Sequence, residues 1–568
     1  MKYPFRLNTK VLLFVVLTCL WASCVRGQLG QNVSGQYKNG MVVCAYPDAA
    51  NAGLEVLKKG GNAVDAAVAV HFALAVTHPQ AGNIGGGGFM VYRSASGSTN
   101  TLDFREKAPA TASTNMYLDS AGNVIPKMSL YTHKASGIPG SVDGIFEAHK
   151  KYGKLKWADL LEPAVKLALN GFKMTKRLAN DINRNAAEFK NSNPGSNYLT
   201  AKEWQEGDVL VQEDLGHTLE QIRDKGRAGF YEGTVADMVV AEMKQGNGLI
   251  TKADLQNYHS VWRKPIIGNY KEYKIITMPP PSSGGIALVQ LLKAVEKYPL
   301  HQWGFNKDST VQLMVEAERR VYADRSKYLG DPDFYKVPVS NLLDTKYILS
   351  RMQNFSWEAA TPSTSIQPGA IAGYESEQTT HFSIVDKDGN AVAITTTLND
   401  TFGSKIFVKG AGFLLNNEMD DFSSKPGVPN MYGLLGGKAN SIQPNKRMLS
   451  AMTPTIVEKD GKLFMIVGTP GGSTIITSVF QTILNVIEFN KSMQGAVSAK
   501  RFHHQWMPDE VTSEKEALDS LTTEKLKQKG YKMTTRGAIG RVDGILKTKW
   551  GYYEGGADPR GDDTKVGW

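Results

Sequence analysis

The sequence predicts a chain of mixed α and β structure, and three features carry that reading. Residues 379–386 and 391–397 are rich in Thr, Val, Ile and Phe and flank Asp388-Gly389, a strong two-residue hairpin signal because Gly tolerates positive φ. Residues 63–76 are apolar almost all round, as in a helix buried on every side. An apolar strand at 463–467 passes through Gly471-Gly472 into an apolar helix starting near Ile475. No internal repeat accompanies these elements.

In chain order, Lys2, Arg6 and Lys10 precede an apolar run from Val11 to about Val25, short for a membrane span of about 20 residues. Small residues near Ser23 and Gly27 suit signal peptidase. Residues 1–27 are therefore expected to be a signal peptide cleaved after Gly27, with a retained signal anchor as the alternative, and the protein to be exported to a periplasm or secreted. Cys19 and Cys24 leave with that segment. The remaining Cys44 can form no intramolecular disulfide or multi-cysteine zinc site, and in the apolar run at 41–45 it reads as a buried strand residue.

A helix over 50–59 ends at Gly60-Gly61, and Asn62 can cap the helix at 63–76. His71 inside it reads as a satisfied core residue. Residues 151–260 are mainly helical, with patterns at 157–170 and 176–189. Pro279-Pro280-Pro281-Ser282-Ser283-Gly284-Gly285 makes an irregular approach to a helix at about 286–298. The Ser/Thr/Pro-rich stretch 359–373 suits a mobile segment.

With 568 residues, 41% of them hydrophobic, the chain can bury a large core in one domain or in two or three. Its net charge of +10 comes from 65 basic and 55 acidic residues interspersed, without a dense basic stripe. That pattern fits a solvated surface better than a nucleic-acid partner.

With Asp388 and Gly389 as the loop, residue numbers across the hairpin should sum to about 777, placing Thr379 within a residue or so of Thr397 and Asn399. Each threonine alone fits ordinary β-propensity, but together they point to chemistry. A threonine hydroxyl needs a base, and a freed α-amino group, with an unperturbed pKa of about 7.7–8.0, supplies one on the same residue. Cleaving Gln378–Thr379 would create nucleophile and base together. The Gly471-Gly472 junction can present N–H groups to a phosphate or an oxyanion. Gly472 is followed by Ser473-Thr474 rather than Lys, so a Walker loop is disfavoured, and Gly85–Gly88 is no better a nucleotide signal. Taken singly, Arg105 fits a surface ion pair and residues 416–421 a polar turn. Asn399-Asp400-Thr401 spells a glycosylation sequon, coincidental if Asn399 lies in a closed pocket.

Residues 375–399, Asn416-Asn417-Glu418-Met419-Asp420-Asp421 and Gly468-Thr469-Pro470-Gly471-Gly472-Ser473 resemble the γ-glutamyltranspeptidase family of N-terminal nucleophile hydrolases. So do residues 58–67, Gly85-Gly86-Gly87-Gly88-Phe89-Met90 and Asp103-Phe104-Arg105-Glu106, so that the resemblance covers nearly the whole mature chain. It implies an α+β fold, the four-layer αββα sandwich of the N-terminal nucleophile hydrolases. It also implies self-cleavage at Gln378–Thr379 into a large subunit, 28–378, and a small catalytic subunit, 379–568, joined as a heterodimer. The implied activity is that of a γ-glutamyltransferase and glutathione hydrolase with no metal or organic cofactor. Glutathione and other γ-glutamyl compounds would be donors, and water, amino acids or dipeptides the acceptors.

By the same resemblance, Thr379 is the nucleophile, Thr397 positions it, and Gly471 and Gly472 form the oxyanion hole. Arg105 and Ser450 hold the substrate α-carboxylate, while Asn399, Glu418 and Asp421 face its ammonium. Tyr432, in the Gly/Pro-punctuated stretch 426–437, is the lid residue. One departure stands out: where the family commonly carries two successive serines, this chain has Ser450-Ala451, which should weaken or alter glutamyl binding. The alternatives are a cephalosporin-acylase-like (glutaryl) amidase on the same scaffold and a non-catalytic exported binding protein.

Overall fold

Strand β1 (Met41–Cys44) leads into helix α1 (Pro47–Lys58), which opens with a proline at its first turn, and then into α2 (Ala63–Thr77). Asn62 starts α2 by accepting the N–H groups of Val64 and Asp65, and the Asp65 carboxylate returns a bond to the Asn62 N–H, a reciprocal capping box. Every residue of α2 is buried. This computed structural model describes residues 36–195, 198–366, 379–423, 425 and 437–568. The expected signal peptide, Gln378, Tyr432 and residues 367–373 of the expected mobile stretch lie outside the described residues.

The chain continues through β2 (Gly87–Arg93), β3 (Thr99–Phe104), α3 (Trp157–Asn170) and the short β4 (Val261–Arg263). Next come β5 (Ile266–Tyr270), β6 (Tyr273–Thr277), α4 (Gly284–Val295) and α5 (Asp308–Tyr328). Later elements include β7 (Thr379–Val385), β8 (Ala391–Thr397), β9 (Thr455–Lys459), β10 (Lys462–Gly468) and α6 (Thr474–Ile487). Strands β11 (Asp543–Lys547), β12 (Tyr553–Gly556) and β13 (Thr564–Gly567) end the chain.

Two antiparallel sheets form the centre. One runs β13-β1-β7-β8-β2-β3-β4, the other β12-β11-β10-β9-β6-β5. Side-chain alternation decides what each face touches. Phe382, Ile384, Val392 and Ile394 join α1, α2 and α3 in one core. Val385, Ala391 and Ala393, on the opposite face, join the second sheet and α4, α5 and α6 in another. The result is the helix–sheet–sheet–helix order of the αββα sandwich. Among the described residues no helix is long and apolar enough to cross a membrane.

The hairpin pairs Thr379 with Thr397 and Val385 with Ala391, so the numbers sum to 776 rather than 777. Closed by the Asp386 N–H on the Asn390 carbonyl at 3.1 Å, its loop has three residues, 387–389, not two. The reason is Asp386, whose Oδ1 accepts the N–H groups of Asp388, Gly389 and Asn390 at 2.9–3.0 Å, while Gly389 takes φ +93°. That wraps the turn around one carboxylate.

Other expectations need adjusting. The helix expected over 176–189 breaks at Asn185 into Lys176–Arg184 and Ala186–Ser192. Cys44 is buried in β1, as expected, and burial pushes its thiol pKa up. His71 is a core residue but not a satisfied one: neither ring nitrogen has a hydrogen-bond partner among the described residues, and burial lowers its pKa to about 4. The described start of the 359–373 stretch is anchored, with Ser363 buried and its N–H bonded to Asp509 Oδ2 at 2.7 Å.

The glycine run at 85–88 serves packing. A Cβ on Gly86 would lie 2.0 Å from the Thr397 carbonyl oxygen, and one on Gly88 2.4 Å from that of Thr395. Backbone this close leaves no room to relax. We therefore expect Gly86→Ala to cost about 2–3 kcal/mol or to prevent folding, measured as a lowered urea midpoint or loss of soluble protein; an unchanged midpoint would contradict the close-approach argument.

Candidate active site

Thr379 opens β7 with Thr397 as its cross-strand partner. The Thr397 hydroxyl oxygen accepts the Asn399 N–H at 2.7 Å, and Asn399, at φ +74°, turns the chain out of the sheet. Asn399 Nδ2 donates to the Asn417 carbonyl at 3.0 Å. Beneath them Asn83 donates from Nδ2 to the Thr397 carbonyl (3.0 Å) and the Thr396 hydroxyl (3.1 Å), and its Oδ1 accepts the Gly86 N–H and the Ser141 hydroxyl. Sequence reasoning missed Asn83. Its only local signal was a polar residue just ahead of the glycine run.

One wall of the site is ionic. One terminal nitrogen of Arg105 bonds Glu418 Oε1 and the other bonds Asp421 Oδ2. The guanidinium also donates to the Leu449 carbonyl at 3.2 Å and the Met448 carbonyl at 3.4 Å, and Glu106 lies 3.4 Å away. Tyr258 steadies the Arg105 backbone through a 2.8 Å bond to its carbonyl. Two more asparagines fix the acidic turn Glu418–Asp421: Asn416, quoted above within its motif but given no role, and Asn440, which sequence reasoning missed. Asn416 Oδ1 accepts the Glu418 N–H while its Nδ2 donates to the Gly85 and Gly137 carbonyls. Asn440 donates to the Asp421 carbonyl and accepts the Leu449 N–H. Ser450 is held by Ser283, whose N–H and hydroxyl both reach the Ser450 carbonyl.

One guanidinium thus faces three carboxyl groups, all inside the protein. Burial dominates their titration: it raises Glu418 well above the usual carboxylate range, raises Asp421, and lifts Glu106 to about 7. Glu418 Oε2 and Glu106 Oε1 have no hydrogen-bond partner among the described residues. Carboxyls raised in this way hold a proton near neutral pH, and a cationic donor beside them would favour its release.

Opposite this wall, β10 ends at Gly468 and α6 begins at Thr474. Gly471 and Gly472 bridge them at φ +136° and +55°, conformations that L side chains rarely adopt. Neither glycine N–H donates a hydrogen bond among the described residues. Both stand at the positive end of the α6 dipole.

These parts line one small, half-open cavity of about 20 Å³. Thr379, Thr397, Asn399 and Gly472 line one side of it, and Arg105, Glu418, Asp421 and Ser450 another. Ala451 lines it too, where the second hydroxyl is missing, together with Met452 and Ile475. Gly471 adjoins the cavity through Gly472 without lining it.

A four-layer αββα sandwich with a threonine opening a central strand beside such a cavity is the arrangement of an N-terminal nucleophile hydrolase. A sequence model of the family described as Gamma-glutamyltranspeptidase matches residues 49–568. The chain is 49% identical over 535 residues to the glutathione hydrolase proenzyme of Escherichia coli strain K12, covering 94% of this chain and 92% of that one. Among solved structures, cephalosporin acylase from Bacillus halodurans superimposes with TM-score 0.83 at 27% identity, covering 94% of this chain and 96% of that one. Helicobacter pylori gamma-glutamyltranspeptidase gives TM-score 0.55 at 46% identity, covering 57% of this chain and 94% of that one. The chain belongs to the gamma-glutamyltranspeptidase family.

The ionic wall predicts a pH effect. A carboxyl raised from 4.5 to about 7 by burial contributes stability below its unfolded pKa and loses it as pH rises through the folded value. Glu106→Gln should therefore gain thermal midpoint relative to the parent on going from about pH 5 to about pH 8. A constant difference across that range would contradict the assignment.

Proposed function

We propose that this protein is a self-processing γ-glutamyltransferase and glutathione hydrolase in which Thr379 carries the acyl group. The observation that carries the reading is the pairing of Thr379 with Thr397 at a cavity whose other wall is Arg105, Glu418, Asp421 and Ser450. In the precursor the Thr379 hydroxyl attacks the Gln378 carbonyl. The peptide becomes an ester, and water hydrolyses it to leave chains 28–378 and 379–568 as a heterodimer. The freed α-amine then takes the hydroxyl proton while Oγ attacks the γ-carbonyl of glutathione or another γ-glutamyl donor. Gly471 and Gly472 N–H groups stabilise the oxyanion, and collapse passes the proton to the leaving amine. Water, an amino acid or a dipeptide accepts the acyl group, with the same α-amine acting as base.

Arg105 and Ser450 suit the donor α-carboxylate, and Asn399, Glu418 and Asp421 its ammonium. Tyr432 is the proposed lid. Residues 1–27 support export to a periplasm or the medium. The acylase reading is weaker, because the structural likeness to cephalosporin acylase comes at 27% identity and because a glutaryl group has no ammonium to answer the excess of carboxylates. A non-catalytic binding protein would remain a single chain.

N-terminal sequencing of the purified protein should find a fragment beginning Thr379-Thr380-His381, and Thr379→Ala should stay as one inactive chain. Cleavage of that variant at the same bond would sink the self-processing mechanism. Restoring the absent hydroxyl should help binding: one hydrogen bond to a carboxylate contributes about 1.5–3 kcal/mol, so Ala451→Ser should lower KM for a γ-glutamyl anilide about tenfold. An unchanged KM would mean that residue 451 does not face the carboxylate.

A further inference from the structure

The glycine bridge between β10 and α6 is held by side chains that the sequence reading left without a role. Thr469 is fully buried, and its hydroxyl donates to the Pro470 carbonyl at 2.7 Å. The same oxygen accepts the Arg541 N–H at 2.7 Å, which fixes the direction in which the hydroxyl can donate. Five residues on, the buried Thr474 hydroxyl donates to the Gly471 carbonyl at 2.7 Å, and the Thr474 N–H reaches the same oxygen at 3.0 Å.

A trans peptide is planar, so a carbonyl and the N–H of the next residue point in opposite directions. Holding the Pro470 carbonyl therefore aims the Gly471 N–H, and holding the Gly471 carbonyl aims the Gly472 N–H. These are the two groups read above as oxyanion donors. Glycine at 471 adds little steering of its own, and a Cβ there would meet the Thr474 hydroxyl at 2.6 Å. The start of α6 is anchored as well: Tyr322 of α5 donates to the Ser473 carbonyl, and the Ser473 hydroxyl bonds Gln505 Oε1 at 2.7 Å.

We propose that Thr469 and Thr474 are positioning residues for the reaction, each orienting one oxyanion-hole N–H through the carbonyl of the same peptide plane. The proposal rests on the reading of Gly471 and Gly472 as oxyanion donors. Neither threonine touches substrate. Their effect should fall on the tetrahedral state and spare ground-state binding.

The test compares Thr469→Val and Thr474→Val, which keep the shape and lose the hydroxyl, with Thr469→Ser and Thr474→Ser, which keep it. Three quantities are measured on the processed enzyme: kcat, inhibition by glutamate, and affinity for a γ-boronic acid analogue of glutamate, whose boron adds the Thr379 hydroxyl oxygen to become tetrahedral. In the valine variants kcat and boronate affinity should fall together by about tenfold or more, with glutamate inhibition within about twofold of the parent, and serine should restore both. Self-cleavage passes through the same kind of oxyanion, so slow processing in the valine variants that serine restores counts as the same effect. Unchanged kcat and boronate affinity in Thr469→Val, or glutamate inhibition weakened as much as boronate affinity, would overturn the proposal. If the boronate binds the unaltered enzyme no more tightly than glutamate, the oxyanion reading itself fails and the proposal falls with it. Tight binding there with no valine effect would remove the positioning role alone.

Discussion

The constraint on which the structure depends is that a chain end must stand inside a sheet without loosening it. Strand β7 meets that constraint by being bonded unequally along its two edges. On one side it pairs with β8 over its whole length, from Thr379 to Val385. On the other, β1 begins to pair only at Phe382. Residues 382–385 are thus locked between two neighbours, while Thr379 is held from one flank and keeps an open side. A cut before Thr379 breaks no ladder hydrogen bond of residues 382–385, and the new terminus keeps the register that sets it against Thr397.

The ionic wall follows the same logic across the cut. Arg105 comes from the segment before Thr379, and Glu418, Asp421 and Ser450 from the segment after it. In the proposed heterodimer, their buried contacts would help hold the two pieces together. Removing one partner of such a pair leaves an uncompensated charge, at a cost of about 3–5 kcal/mol. The excess of carboxyl groups over the single guanidinium also makes the wall receptive to a donor carrying both a carboxylate and an ammonium, each answering a group of the opposite sign. In the proposed enzyme, recognition and assembly would therefore use the same residues.

Much of this was legible in the sequence, for local reasons. Asp388-Gly389 pinned the hairpin to within one residue, but that the face of Phe382, Ile384, Val392 and Ile394 meets helices emerged only from the structure. The one-residue error in the loop came from Asp386, whose carboxylate captures three consecutive N–H groups, a choice that propensity does not record. Asn83 and Asn440, and the role of Asn416, stayed unread because their worth lies in bridging carbonyls and N–H groups far apart in the chain. Arg105, Glu418 and Asp421 were readable by resemblance alone, since 313 and 316 residues separate Arg105 from its two partners. The glycine run, a poor nucleotide signal in the sequence, is the place where β2 presses against β8.

The account turns on Thr379 as the atom that carries the acyl group. The most direct measurement is mass spectrometry of the processed enzyme quenched during turnover of a γ-glutamyl anilide, followed by peptide mapping. The account predicts a mass gain of one γ-glutamyl group on the 379–568 chain, located at Thr379 and lost on adding an acceptor dipeptide. An adduct on any other residue, or on the 28–378 chain, would contradict it.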